Sequence, residues 1–242
     1  MTVLIVLPTY NERATIERVA EGILRHEWTR LLVVDDASPD GTAQAAVSVG
    51  ERFPGRLDVL RRDGPRGLGL AYVEGLGRAL ATGAEGIGQM DADLSHDPGH
   101  LPALRASLER HDLVIGSRYV EGGGVVNWPA HRVALSAFAN RYIRVITGLE
   151  PRDCTSGYRM WRRAALAGLP LANARANGYA FLTEMLYQAA RQGCRIAEVP
   201  ITFVERQEGY SKVSNRVLAE SLLMPWRLVL RGGRLRRGAQ GR

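Results

Sequence analysis

Residues 3–42 read VLIVLPTYNERATIERVAEGILRHEWTRLLVVDDASPDGT. The run Val3–Leu7 is apolar at every position and too short for a helix, which predicts a strand buried on both faces. Arg13–His26 carries apolar residues at helical spacing, with Asn11 as a candidate N-cap. Leu31–Val34 repeats the apolar run. It stops at Asp35-Asp36-Ala37-Ser38-Pro39-Asp40-Gly41, a string of turn formers. Strand, helix and strand in immediate succession form the unit of a parallel sheet.

Outward from this unit the alternation continues. Helices are predicted over Thr42–Arg52, Leu68–Ala81 and Pro98–Arg110, and strands over Leu57–Leu60, Gly86–Met90 and Leu113–Gly116. Beyond Gly116 the pattern changes. Glu121–Val126 is glycine-rich and reads as a loop. Helices follow at His131–Thr147 and Tyr179–Gln192, then strands at Arg195–Val199 and Ile201–Glu205 broken at Pro200, then a helix over Asn215–Leu230 that contains Pro225. The expected fold is α/β and Rossmann-like, a mostly parallel sheet with helices on both faces. Ligands of such sheets bind beyond the carboxyl ends of the strands, at the topological switch point. The polar strings that follow the first, second, fourth and fifth strands should therefore meet along one edge.

Composition narrows the partners. The 242 residues are 45% apolar and carry a net charge of +7, which suits anionic ligands or surfaces. Positive charge gathers at the end: Ser221–Arg242 holds arginines and no Asp or Glu, and Lys212 is the single lysine of the chain. Much of the arginine excess fits a GC-rich coding bias. Cys154 and Cys194 lack metal-ligand spacing and read as free thiols of a reducing compartment. Met1–Leu7 is too short for a secretory leader, and no stretch of about 20 apolar residues suggests a membrane span.

The strongest chemical signal is Met90-Asp91-Ala92-Asp93, where two carboxylates follow an apolar strand. Oxygen ligands so placed suit Mg²⁺ or Mn²⁺ and a diphosphate bound to it, whereas in isolation the same string would be a solvated acidic turn. Asp36 is positioned to accept from a base or ribose, or else to stop the strand as a turn former. Tyr10 offers a stacking face and Glu12 an acceptor, against the plainer reading of a helix cap followed by an exposed acid. Gly64-Pro65-Arg66-Gly67-Leu68-Gly69 follows the third strand rather than the first, so it is not a dinucleotide fingerprint but a tight turn beside the pocket. Arg118, Arg132, Arg159, Arg206 and Lys212 would together form a cationic clamp for phosphates.

Several strings occur in an order that resembles the polyprenol-phosphate mannosyltransferases of the dolichol-phosphate mannose synthase type. They are Pro8-Thr9-Tyr10-Asn11-Glu12, Val34-Asp35-Asp36-Ala37-Ser38-Pro39-Asp40-Gly41-Thr42, Met90-Asp91-Ala92-Asp93-Leu94-Ser95-His96, Gly116-Ser117-Arg118-Tyr119, Asp153-Cys154-Thr155-Ser156-Gly157-Tyr158-Arg159, and Glu205-Arg206 with Gly209-Tyr210-Ser211-Lys212. The resemblance runs from Val3 to about Lys212. It implies a GT-A nucleotide-sugar-binding domain over 1–212, followed by an amphipathic helix and basic tail over 213–242. It further implies a GDP-mannose donor and a polyprenyl monophosphate acceptor. By position, Pro8, Tyr10, Glu12, Val34 and Asp36 would hold guanosine. Asp91, Ala92 and Asp93 would hold diphosphate and metal, with Ser95 as a further metal neighbour through water. Arg118, Arg132, Arg206 and Lys212 would bind phosphates, and Asp91, Asp93, Arg118 and Lys212 would carry the chemistry.

Some members of that family end in transmembrane helices, which this sequence lacks. Attachment to the cytoplasmic face of a membrane would then fall to the tail, to the apolar segment Ser221–Leu230, to a membrane-anchored partner protein or to a domain encoded elsewhere. Two alternatives stand beside this reading: the same transfer from another donor such as UDP-glucose, or a basic nucleic-acid-binding protein. The second is disfavoured because no recognised nucleic-acid-binding motif is present and the acidic strand ends would repel a polyanion.

Overall fold

The computed structural model describes residues 1–171, 179–205 and 215–235. Among these, seven strands form one sheet in the order β3-β2-β1-β4-β7-β5-β8. The strands are β1 (Val3–Thr9), β2 (Thr29–Asp35), β3 (Leu57–Arg61), β4 (Gly86–Gln89), β5 (Leu113–Ser117), β7 (Arg159–Arg162) and β8 (Ile196–Pro200). Neighbours run parallel except at β7, which is antiparallel to both β4 and β5. The expected α/β architecture is present, and the switch point lies where β1 sits between β2 and β4.

The apolar run of β1 explains its central place. Leu4 and Val6 enter the core on one face, while Val3, Ile5 and Leu7 enter the core on the other. On the second face α1 (Ile16–Leu24) buries Ile16, Val19, Ala20, Ile23 and Leu24, a helical stripe. On the first face α3 (Leu68–Leu80) comes close because Gly75 has no side chain. A Cβ there would stand 2.6 Å from Val6 Cγ1 and 2.7 Å from Val34 Cγ2. The boundaries of α2 (Thr42–Arg52) match expectation. The predicted helix over Pro98–Arg110 divides into a single 3-10 turn at Pro98–His100, capped by the Asp97 carboxylate, and α4 (Leu101–Leu108).

Two local expectations are corrected, and two elements appear that the sequence did not signal. Arg159–Arg162 is an interior strand, hidden in the sequence because arginine stands at both ends. Its Trp161 indole N–H donates to Gln89 Oε1 of β4 at 2.7 Å, inside the core. The loop expected over Glu121–Val126 contains β6 (Gly124–Val126), which pairs in parallel with β9 (Thr202–Val204) as a separate two-stranded sheet. A short helix α6 (Arg163–Ala167), not foreseen, follows β7. Asn11 is not the cap of α1: Thr15 is, and Asn11 turns the chain at φ 58°.

The segments after β5 build a second helical layer. It comprises α5 (Ala130–Thr147), α7 (Tyr179–Arg191) and α8 (Asn215–Gly232). Met224 and Leu228 of α8 are buried in the same core as Ile143 and Leu186.

Replacing Gly75 by Ala should lower stability by about 1–3 kcal/mol, the range for overpacking a dense core. The helix-propensity gain of about 1 kcal/mol offsets only part of this. A denaturant midpoint equal to or above that of the parent would show that α3 can move outward at no cost.

Candidate active site

The loops that leave β1 and β2 are joined by two carboxylates, the buried Asp35 and the exposed Asp40. Asp35 accepts from the Thr9 hydroxyl at 3.0 Å, from the Ser38 hydroxyl at 2.6 Å and from the Ser38 N–H at 2.9 Å. Asp40 accepts from the Thr42 N–H and hydroxyl and from the Arg13 N–H. These hydrogen bonds hold its carboxyl below the ordinary range against the opposing effect of burial. The Glu12 N–H donates to the Thr42 hydroxyl at 3.0 Å, which ties the first loop to the second.

Asp36 is buried and pairs with the equally buried Arg62, while its other oxygen accepts from Gly67 N–H at 2.9 Å. It therefore pins the Gly64–Gly69 turn against the end of β2. Arg66 of the same turn lies over the Tyr10 ring, 4.5 Å from its centroid, and donates to the Tyr10 hydroxyl. A base stacking on Tyr10 has to use the other face or replace this guanidinium. Val34 points into the core against Gly75 and is fully buried, so only its backbone can face a ligand.

At the end of β4, Asp91 and Asp93 differ. The Asp91 side chain is 33% exposed. Its neighbour Gly157 leaves it room, since a Cβ there would stand 3.3 Å from Asp91 Oδ1. Asp93 is buried, and its Oδ1 accepts from Ser95 N–H at 3.0 Å and from the Ser95 hydroxyl at 2.5 Å. Ser95 thus orients Asp93 by hydrogen bonding. Leu94 between them has φ 64°, a conformation uncommon for a non-glycine residue. His96 is buried, accepts from the Asp91 N–H at Nδ1, and stacks on Tyr158 at 4.9 Å. Burial lowers its pKa in spite of the Asp91 and Asp93 charges, so the ring is neutral at pH 7.

The expected basic clamp is only partly assembled among the described residues. Arg118 forms a two-pronged pair with the fully buried Asp153, Nε to Oδ2 and Nη2 to Oδ1 both at 2.7 Å. Burial would raise the Asp153 carboxyl, but the charge and hydrogen bonds of Arg118 outweigh this and hold it low. Asp153 is in turn fixed by its N–H, which donates to Glu198 Oε1 of β8 at 2.9 Å. Arg132 pairs with Glu205 and lies 4.2 Å above the Trp128 ring. Arg159 is corrected outright. It is fully buried, with its guanidinium on the carbonyls of Ser156, Leu182 and Cys154, and so cannot clamp a phosphate. Burial brings its pKa down to about 10, which leaves it charged. Arg206 and Lys212 lie outside the described residues. Asp153, Glu205, Trp128 and Phe203 were given no role from sequence. Asp153 and Glu205 stand inside strings that the sequence singled out, but their partners are far away in the chain.

Two carboxylates at a strand end suit a divalent cation whose remaining ligands are phosphate oxygens. Among the described residues no group of three or more acidic, His or Cys side chains could hold a metal by itself.

Residues 4–169 match the model of glycosyl transferase family 2. The chain is 41% identical over 242 residues to an undecaprenyl-phosphate mannosyltransferase of Micrococcus luteus, covering 98% of each. It is 40% identical to a polyprenol monophosphomannose synthase of Mycolicibacterium smegmatis, covering 95% of this chain and 87% of that one. Among solved structures it is similar to glucosyl-3-phosphoglycerate synthase of Mycobacterium tuberculosis in complex with Mn²⁺, UDP and glucosyl-3-phosphoglycerate. The TM-score is 0.66 at 24% identity, covering 98% of this chain and 82% of that one. The fold is that of the GT-A glycosyltransferases.

Asp153→Asn leaves Arg118 without its counter-charge in a buried place and should cost about 3–5 kcal/mol of stability. The double variant Arg118→Met with Asp153→Leu should recover most of that loss. An Asp153→Asn protein as stable as the parent would mean that the pair is open to water.

Proposed function

The chain belongs to glycosyl transferase family 2, and from that premise we propose that it transfers mannose from GDP-mannose to a polyprenyl monophosphate, with inversion, giving β-mannosyl phosphoryl polyprenol. That it is a glycosyltransferase follows from the family and from its mannosyltransferase relatives. The observation that carries the finer reading is the 41% identity over nearly the whole length of an undecaprenyl-phosphate mannosyltransferase.

The site supports a division of labour. In this reading Pro8, Tyr10, Glu12, Asp36 and the Val34 backbone receive guanosine on the β1–β2 side of the switch point. Asp91 and Asp93, with the Ala92 backbone, face the diphosphate, and Ser95 keeps Asp93 oriented. A divalent cation, Mg²⁺ or Mn²⁺, bound by these carboxylates supplies charge to the departing diphosphate. Arg118, Arg132, Arg206 and Lys212 compensate the phosphates of donor and acceptor. No general base is required, because a phosphate monoester with a second pKa near 6 is already largely dianionic at neutral pH. His96 fits this view: it is buried, neutral and engaged with the Asp91 backbone, so it serves the loop rather than the nucleophile. The chain's task is alignment and charge compensation.

A lipid acceptor brings the enzyme to a membrane surface. No helix among the described residues is long and apolar enough to cross one. Instead α5 and α8 together expose Leu135, Phe138, Leu222, Leu223, Trp226 and Leu230. The helices are joined by Tyr142, whose hydroxyl donates to the Leu222 carbonyl and accepts from the Trp226 indole N–H, both at 2.9 Å. The apolar segment foreseen in α8 thus splits its faces, Met224 and Leu228 inward and Trp226 and Leu230 outward. With exposed Arg227, Arg231 and Arg234 beside it, this face is suited to peripheral attachment to anionic lipid on the cytoplasmic side. In this reading residues 1–212 form the catalytic domain, and 213–242 attach together with the exposed face of α5.

Asp93→Ala should abolish transfer of radiolabelled mannose while the protein still unfolds cooperatively, and chelation of divalent cations should do the same to the parent. GDP-mannose should outcompete UDP-glucose as donor, and the product linkage should be β by NMR. An α-linked product, or full turnover with chelator present, is incompatible with the proposal. Trp226→Glu with Leu230→Glu should release the protein from anionic vesicles in a flotation assay and leave GDP binding intact. Unchanged flotation would move the attachment site elsewhere.

A further inference from the structure

Trp128 lies at the junction of β6 and α5, directly after Asn127, whose φ of 65° bends the chain there. Its ring is contacted by two cations. The Arg132 guanidinium is 4.2 Å from the ring centroid and that of Arg118 is 5.7 Å from it. Phe203 of β9 packs edge-on against the indole at 5.4 Å. The same phenyl ring meets His96 edge-on at 5.3 Å. A β-bridge between His96 and Phe203, and a hydrogen bond from Val204 N–H to the Ser95 carbonyl at 3.2 Å, bind β9 to the Asp91–His96 loop. The indole is thus coupled to the two-carboxylate loop through a continuous set of contacts.

The indole N–H is the telling group. It is buried and has no hydrogen-bond partner among the described residues. The buried Trp161 donates to Gln89 and the surface Trp226 to Tyr142. A buried indole N–H ordinarily finds an acceptor, because leaving it unpaired is costly. Here the groups over its ring are guanidiniums, which accept nothing. With two guanidiniums gathered at this ring, the acceptor chemistry that both satisfies its N–H and is drawn to the site is an anionic oxygen.

We propose that the Trp128 Nε1–H donates to an oxygen of the acceptor's phosphate monoester, making Trp128 a binding residue of the acceptor site between Arg118 and Arg132. This rests on the reading of the protein as a transferase to lipid phosphate. The acceptor is favoured over the donor diphosphate by continuity. Trp128 opens directly into α5, whose exposed Leu135 and Phe138 belong to the apolar face offered to lipid. A phosphate that draws Arg132 away from Glu205 uncovers one face of the indole and comes within reach of its edge.

The test uses the full chain with GDP-mannose and undecaprenyl monophosphate in detergent micelles. Trp128→Phe keeps an aromatic face for both arginines and removes only the donor. The KM for the lipid phosphate should rise about ten- to a hundredfold, the loss of one hydrogen bond to a charged group. GDP affinity, measured by calorimetry without the lipid, should stay within about twofold of the parent, well below that loss. Site-specific replacement by benzothienylalanine, with sulfur in place of N–H, should reproduce the KM effect with less change in shape. An unchanged KM in both variants overturns the proposal. So does a weakening of GDP affinity that matches the change in KM, which would make Trp128 a packing residue or place it at the donor. If the parent itself transfers nothing to the lipid phosphate, the functional reading fails rather than the role of Trp128 alone.

Discussion

A strand that is apolar on both faces has only its ends at which to carry charge. In β1, β2 and β4 every side chain except the partly exposed Pro8 and Arg30 is buried. Backbone groups within the sheet are consumed by the ladder, so polar function is displaced to the loops beyond the carboxyl ends. There strand order brings the acids Asp35 and Asp36, after β2, and Asp91 and Asp93, after β4, to the same edge of the sheet, on either side of β1. The same burial fixes the strand register and hence the relative heights of those loops, because a slip by one residue would turn each strand's side chains to the opposite face.

Concentrating charge at one edge creates a second constraint. Buried or half-buried charges require partners, and the edge supplies them internally: Asp36 with Arg62, Arg118 with Asp153, Arg132 with Glu205. These pairs hold the guanidiniums in place without any ligand, which is the sense in which such a site is preorganised. Arg132 and Glu205 are each about one-third exposed, whereas Arg118 and Asp153 are buried. A ligand can therefore exchange with the first pair more readily than with the second. Backbone conformation follows the same logic. Among the described residues the non-glycine positions with positive φ are Asn11, Ala37, Leu94 and Asn127, each in a loop beyond a strand's carboxyl end. Such conformations persist only where the surroundings impose them, and they cluster at functional sites.

The aromatic contacts give the edge its coherence. His96, Phe203 and Trp128 form a path from the carboxylate loop to the start of α5, and α5 leads to the exposed apolar face it shares with α8. The acidic strand ends and the exposed apolar face of α5 and α8 are thereby parts of one packed unit.

How much of this was legible in the sequence depends on the range of each interaction. The strands β1, β2 and β4, the helix α2 and the turn at Gly64–Gly69 were readable, because apolar period and turn chemistry are local properties. The place of Asp91 and Asp93 at a strand end was readable too, since they stand directly after an apolar run. The strand β7 was not, because Arg159 and Arg162 break its apolar signal. Arg159 is tolerated there only because three backbone carbonyls, brought together by folding, receive its guanidinium. Nor could the sequence distinguish Arg159, buried and structural, from Arg118, paired at the edge, or reveal that the partner of Arg118 is Asp153, 35 residues later. By itself the chain's order of residues determined the architecture and the edge at which the polar loops gather, since burial of alternating apolar runs dictates both. Only the tertiary structure decided which charges face one another and which buried donors among the described residues, that of Trp128 among them, are left without an acceptor, because those depend on distances between segments that no local pattern encodes.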